Sequence, residues 1–266
     1  MENHTSIDGT FGNQHGRSLL ALLLGDGNPQ AKEKPPTAMA LTQQRSERCR
    51  PQAVMTDTTH DALKSHLLLM ASNAEECVKI AIQSLMDREE SLAKMQKDQD
   101  DVIDQLEMKV DELALSMLGE ATKPESIRFI TMAMRISNEL ERVGDEATTI
   151  SRRSLELMKH EPLRLDIPIE SMAQMVTDML REALDTFVYR KPDLAREIVL
   201  RDKQVDQLNK AIQAQMTETM LKHPDHIVRS LHLMTIAKSM ERIGDHASNI
   251  AEQVVFLCEA EDIRHQ

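Results

Sequence analysis

Aromatic side chains are nearly absent: Phe11, Phe129, Phe187, Phe256 and Tyr189 make up 2% of 266 residues, and there is no Trp. A core must then be assembled from Leu, Ile, Val, Met and Ala. Those residues pack well between helices, whereas sandwiches and barrels lean on aromatic and β-branched residues. The same scarcity removes the stacking platforms used to bind single-stranded nucleic acid. Positive charge is also short, since 32 basic against 44 acidic residues leave a net charge of -12. That is the wrong sign for a phosphate-backbone binder, and it disfavours anionic membrane surfaces. Cysteine is limited to Cys49, Cys77 and Cys258. Their wide spacing gives neither a disulfide framework nor a zinc motif, so a reducing cytoplasm is expected. Long apolar runs are missing too. Leu19 to Leu24 is too short to span a bilayer, and Glu2 and Asp8 against Arg17 make a poor signal-peptide start.

Glycine and proline are unevenly placed. Gly9, Gly12, Gly16, Gly25 and Gly27 crowd the front with Pro29, Pro35, Pro36 and Pro51, and only Gly119, Gly144 and Gly244 lie beyond. Residues 1–54 carry six basic and five acidic residues, a net of +1, so the remainder carries -13 against the overall -12. We read residues 1–54 as a disordered extension, because they bury too little apolar surface to offset chain entropy. Met55, followed by the cap-type run Thr56-Asp57-Thr58-Thr59, is a candidate translation start. The intact mass of the native protein decides that point.

Beyond Met55 the segments are rich in Ala, Leu, Met, Glu, Lys and Gln, all helix formers. The punctuation predicts helices over 57–86, 89–118, 124–160, 168–189, 192–222 and 224–260. The breaks are Gly119 to Pro124, Pro162 to Pro168, Lys191-Pro192 and His223-Pro224, and only the break near Asp87 lacks Gly or Pro. Period-2 alternation of the kind that marks strands does not occur.

The chain also repeats itself. Residues 124–150 align with 224–250 at an offset of one hundred, pairing Pro124/Pro224, Met134/Met234, Glu141/Glu241, Arg142/Arg242, Gly144/Gly244 and Asp145/Asp245. Asp100, Asp104, Gln105 and Leu106 match Asp202, Asp206, Gln207 and Leu208 at an offset of 102. Each half is thus a three-helix unit with enough chain for its own core. The expected organisation is all-α: residues 1–54 as the extension, then tandem pseudo-symmetric three-helix bundles over 55–161 and 162–266.

Four carboxylate pairs stand at i,i+4: Asp100/Asp104, Glu141/Asp145, Asp202/Asp206 and Glu241/Asp245. At about 100° per residue, each pair stacks on one helix face, where like charges destabilise a helix by a few tenths of a kcal/mol. Ile127, Ile130 and Met134 share the face of Glu141, and Ile227 and Met234 that of Glu241. Ile198, Met216 and Met220 flank Asp202 and Asp206, so these acids do not lie on a simple solvated face. A mid-helix Gly costs about 1 kcal/mol relative to Ala, yet Gly144 and Gly244 each adjoin a pair. Something approaches the backbone there, either a neighbouring helix or an ion with its waters. Packing the second and third helices of a half together would converge four acids, too repulsive to stay ionised without a cation. All-oxygen donors suit Mg, Mn, Ca or iron. The bland alternative is a salt-bridge network with Arg142 and Arg242.

Other features carry less. The 18 Met scatter at helical spacing and read as core filler, and Cys77 and Cys258 as small buried hydrophobes. His223-Pro224-Asp225-His226 falls on a helix boundary. Glu-x-x-His ligands of di-iron enzymes are absent from the motif helices, as are nucleophile triads and Gly-rich phosphate loops. His246 points about 100° away from Asp245.

The doubled unit carrying Glu-Arg-(Val/Ile)-Gly-Asp resembles the PhoU family of bacterial phosphate-specific transport accessory proteins. The second copy, Glu241-Arg242-Ile243-Gly244-Asp245-His246-Ala247-Ser248-Asn249-Ile250, matches closely, and the first, through Asp145-Glu146-Ala147, nearly as well. The resemblance covers about residues 57–262. It implies a cytoplasmic, non-enzymatic homodimer that restrains phosphate uptake and the phosphate-starvation response. The implied partners are the transporter's ATP-binding subunit and the phosphate sensor histidine kinase, with no nucleic acid and no membrane insertion. It also implies divalent or trivalent metal ions (Fe, Mn, Mg or Zn) on Asp100, Asp104, Glu141, Asp145, Asp202, Asp206, Glu241 and Asp245. A carboxylate-bridged metalloenzyme and a purely structural scaffold are the competing readings.

Overall fold

The computed structural model describes residues 52–163 and 165–264. The order is α1 (Gln52–Asp87), α2 (Glu90–Leu118), α3 (Pro124–Met158), α4 (Ile169–Tyr189), α5 (Pro192–Lys222) and α6 (Ile227–Glu259). A 3-10 turn, Pro224–His226, precedes α6, and the described residues contain no strand. Pro124 and Pro192 open their helices from the first turn, where the missing N–H would be unbonded anyway. The turn at Pro224 corrects the expectation of continuous α-helix from that residue: His226 N–H bonds back to His223 O at 2.9 Å. The rings of His223 and His226 stack there, with centroids 5.0 Å apart. Helix α1 also starts earlier than expected, because Gln52, Ala53, Val54 and Met55 continue it backward past the cap-type residues. The rest of the expected extension lies outside the described residues.

The break at Asp87, unmarked by Gly or Pro, is made by Arg88 in the left-handed region at φ 53°. Such a conformation costs an L-residue roughly 1 kcal/mol or more. Its guanidinium compensates by donating to Leu157 O at 3.1 Å and His160 O at 2.6 Å. Both carbonyls lie at the C-terminal end of α3, where the i,i+4 ladder has run out, and Leu157 O also accepts from His160 N–H at 3.1 Å. One residue thereby turns the chain from α1 to α2 and fastens that turn to α3.

Helices α1, α2 and α3 pack mutually as one bundle and α4, α5 and α6 as the other, with α3 lying along α6 and α1 touching α4. The apolar interior is continuous across both, from Leu63, Met70 and Ile103 through Leu140 and Ile150 to Met179, Ile198 and Val254. Polar contacts lace the α3–α6 seam. His246 Nδ1 donates to Glu139 Oε2 at 2.7 Å, Asn249 donates to the same oxygen at 3.1 Å, and Arg242 reaches Glu146 at 2.9 Å. No helix among the described residues is long and apolar enough to cross a membrane.

Candidate metal centres

In the first bundle α2 supplies Asp100 and Asp104 and α3 supplies Glu141 and Asp145. The glycine between the α3 acids explains the approach. A Cβ on Gly144 would sit 2.9 Å from Ile103 Cδ1 and 3.0 Å from Asp100 Oδ1. On Gly244 it would meet Val205 Cγ1 at 3.3 Å. Both glycines let α2 or α5 close upon the third helix, so the approaching group is a neighbouring helix. In the first bundle that helix brings a carboxylate with it.

The acids of each half lie close enough to oppose one another's ionisation. Burial, then Asp145 and Asp104, raises Asp100. Burial, followed by Asp145, Glu107 and Asp104, pushes Glu141 up to about 7, and burial with Asp104 raises Asp145. In the second bundle burial, then Asp206 and Glu241, raises Asp202. Asp245 rises to about 6 through burial, Glu241 and Asp202. Burial and like charge act in the same direction at every one of these groups, which is the signature of carboxylates gathered without enough compensating charge.

The arginine network is not what holds them. Arg142 Nε donates to Asn138 Oδ1 at 3.2 Å, and Arg242 turns to Glu146 across the seam. Among the described residues, Asp100, Asp104, Glu141 and Asp145 form no ion pair, whereas Glu241 pairs with Lys238 and Asp206 with Lys210 at 3.8 Å. An all-oxygen donor set of this charge fits a hard cation chemically. As they stand, however, no three His, Cys, Asp or Glu side chains among the described residues gather into one coordination sphere. The acids converge to Coulombic range rather than to ligand range.

Sequence reasoning missed three residues here. Glu107 and Asp111 continue the stripe of Asp100 and Asp104 along α2 at i+7 and i+11, and Glu107 is itself raised by burial and by both neighbours. The same helical periodicity, carried two turns further, finds them. Lys238 was the other omission, three residues before Glu241 on α6. The expected apolar face was too long: Ile127 and Ile227 are 40% and 41% exposed, because they lie in the first turns of α3 and α6. Ile130 is fully buried and Met134 packs on the core. Cys77 is buried, as expected, and Cys258 only partly.

Fold and site together define a class: a tandem duplication of a three-helix unit, each copy with a carboxylate cluster between its second and third helices. The family described as PhoU domain matches residues 67–154 and again 169–254, more than half of the chain, and the protein belongs to that family. A "Phosphate-specific transport system accessory protein PhoU homolog" of Pseudomonas aeruginosa is 35% identical over 205 residues, 76% of this chain and 85% of its own. The PhoU of Escherichia coli K12 is 28% identical over 206 residues, 77% of this chain and 86% of its own. A crystal structure of PhoU from Pseudomonas aeruginosa superposes with a TM-score of 0.75 at 33% identity, covering 77% of this chain and 99% of that one. One from Streptococcus pneumoniae, at 22% identity and a TM-score of 0.73, shares the fold.

Proposed function

We propose that the chain is an accessory regulator of phosphate transport, a cytoplasmic homodimer that restrains phosphate uptake and the phosphate-starvation response. It acts by contact with the ATP-binding subunit of the phosphate transporter and with the phosphate sensor histidine kinase. Family membership supports the transport role. The observation that carries the reading is the duplicated carboxylate constellation, present in both halves and held at mutual repulsion. A bound divalent or trivalent cation would supply the charge that these acids lack. Asp100, Asp104, Glu141 and Asp145 would hold it in one half, and Asp202, Asp206, Glu241 and Asp245 in the other. Because each cluster joins two helices, its repulsion biases the helix–helix geometry. A ligand shifts such an equilibrium only through unequal affinity for the two states.

No catalysis is included in this reading. The imidazole nearest the motif, His246, is engaged with Glu139 across the seam, which takes it away from acid–base work beside the acids. Deleting the gene and assaying alkaline phosphatase in high phosphate tests the proposal. Constitutive expression is expected, and unchanged repression in the deletion strain would sink it.

A further inference from the structure

The two clusters are copies by position but not by composition. Where α2 has Glu107, the matching position of α5 is Asn209; where α3 has Asn138, α6 has Lys238. These two exchanges alone leave the first cluster two charges more negative than the second. The structure makes both exchanges count. Glu107 raises Glu141 and is itself raised by Asp104, so it belongs to the first cluster. The Lys238 ammonium pairs with Glu241, whose residue is only 8% exposed.

The walls differ as well. One turn before Asp100 lies Gln96, 1% exposed, with neither amide atom hydrogen-bonded. The Cys77 thiol of α1 is raised by burial, with the Gln96 amide easing it and the Asp100 charge adding to the rise. From α3, the Thr148 hydroxyl eases the ionisation of Asp100, as its counterpart Ser248 does for Asp202, and neither hydroxyl closes a hydrogen bond of ordinary geometry, so this part of the wall is common to both halves. One turn on, Ser151, also 1% exposed, has a hydroxyl with no partner. The equivalents of Gln96 and Ser151 in the second bundle are Ile198 and Ala251, both wholly buried and apolar. Buried polar groups without partners are costly and mark a place where water or an ion completes the bonding.

We propose that the two carboxylate clusters are unequal cation sites. The first, enlarged by Glu107 and backed by the uncharged oxygens of Gln96 and Ser151, takes a divalent cation tightly. The second carries a built-in cation, the Lys238 ammonium, and takes one weakly. This rests on the metal reading above and assigns the two halves different work. A metal entering the second cluster meets a positive charge already on Glu241. One entering the first meets acids that form no ion pair among the described residues, eased only at longer range by Arg142, together with buried amide and hydroxyl oxygens of the kind that complete a hard-cation shell.

Calorimetric titration of the full chain with MnCl2, after stripping with EDTA and removal of the chelator, tests this. The substitutions Asn138→Lys and Lys238→Asn exchange the charge difference at exposed helix positions, and helicity by circular dichroism checks that each variant folds. The unsubstituted chain should show one tight class of Mn2+ and a weaker one, with affinities separated by about tenfold or more. Asn138→Lys should weaken the tight class by a similar factor, and Lys238→Asn should add tight uptake. Gln96→Ile, which copies the second bundle's wall, should weaken the tight class severalfold. Two classes of equal affinity, or a tight class indifferent to Asn138→Lys, would overturn the inequality. No Mn2+ uptake at all would instead remove the underlying metal reading, a separate result.

Discussion

In the first bundle four acids face one another with no ion pair among the described residues, and two of them, Asp104 and Asp145, are exposed. In the second the matching acids are partly or fully buried, and lysines stand on Glu241 and Asp206. The same backbone plan thus tolerates acid convergence in two ways. One half leaves the repulsion open to solvent and to ions; the other withdraws the acids and supplies ammonium groups. Duplication preserved the pairs Glu141/Asp145 and Glu241/Asp245, while the residues around them diverged. The lesson is that a repeated motif specifies where charge gathers, and its neighbours decide what becomes of that charge.

The largest difference should appear at the glycines. Alanine at Gly144 gains about 1 kcal/mol of helix propensity, but its Cβ would overlap Ile103, which is wholly buried, and crowd Asp100. Overpacking of a tight core costs about 1–3 kcal/mol, which leaves about 0–2 kcal/mol net. The 2.9 Å approach to the wholly buried Ile103 puts Gly144→Ala at the upper end, a loss of about 2 kcal/mol. At Gly244 Val205 needs to give only a few tenths of an ångström, and Gly244→Ala should be near neutral. Urea melts of the two variants read this directly. Equal losses would mean that the helix contacts around the motif are the same in both halves.

How much of this was legible beforehand follows from the kind of signal involved. Pro124 and Pro192 mark helix starts because a missing N–H is a local property of one residue. The Glu-Arg-x-Gly-Asp pairs were readable because periodicity puts i and i+4 on one face. The turn at Arg88 was weakly marked, since its left-handed backbone is held by carbonyls nearly seventy residues away in α3. Lys238 escaped because a lysine three residues before a glutamate is common, and its weight depends on the burial of Glu241, which only packing decides. The polar wall of Gln96 and Ser151 left no pattern along the chain. Its meaning appears only when α1, α2 and α3 enclose the same space.

A middle-sized effect is expected from the lysine. Lys238→Met leaves Glu241 buried with its partner gone. Breaking a buried pair is strongly destabilising, but the half-exposed ammonium is partly screened by water, so we expect a loss of about 1 kcal/mol at neutral pH. Asn138→Met in the first bundle removes no charge from Glu141 and should change stability by less than half as much. If the two substitutions cost the same, Lys238 is not what stabilises the second cluster.

The smallest effect is a pH dependence whose window differs between the halves. Glu141 holds its proton up to about 7 in the folded chain against 4.5 as its ordinary value, and Asp245 up to about 6 against 3.8. The folded state therefore binds more protons than the unfolded one between those limits, and stability falls as pH rises through them. Chelator-treated protein should melt higher near pH 5 than near pH 7.5, by about 2–4 °C. Glu141→Gln should flatten the upper part of that slope, from 6 to 7, where Asp245 is already ionised. Asp245→Asn should flatten only the part below 6. Mn2+ should reverse the sign of the slope, because a cation favours the ionised acids and competes with protons for them. If Glu141→Gln leaves the slope above 6 intact, the repulsion assigned to the first bundle is absent, and the contrast between the two halves collapses with it.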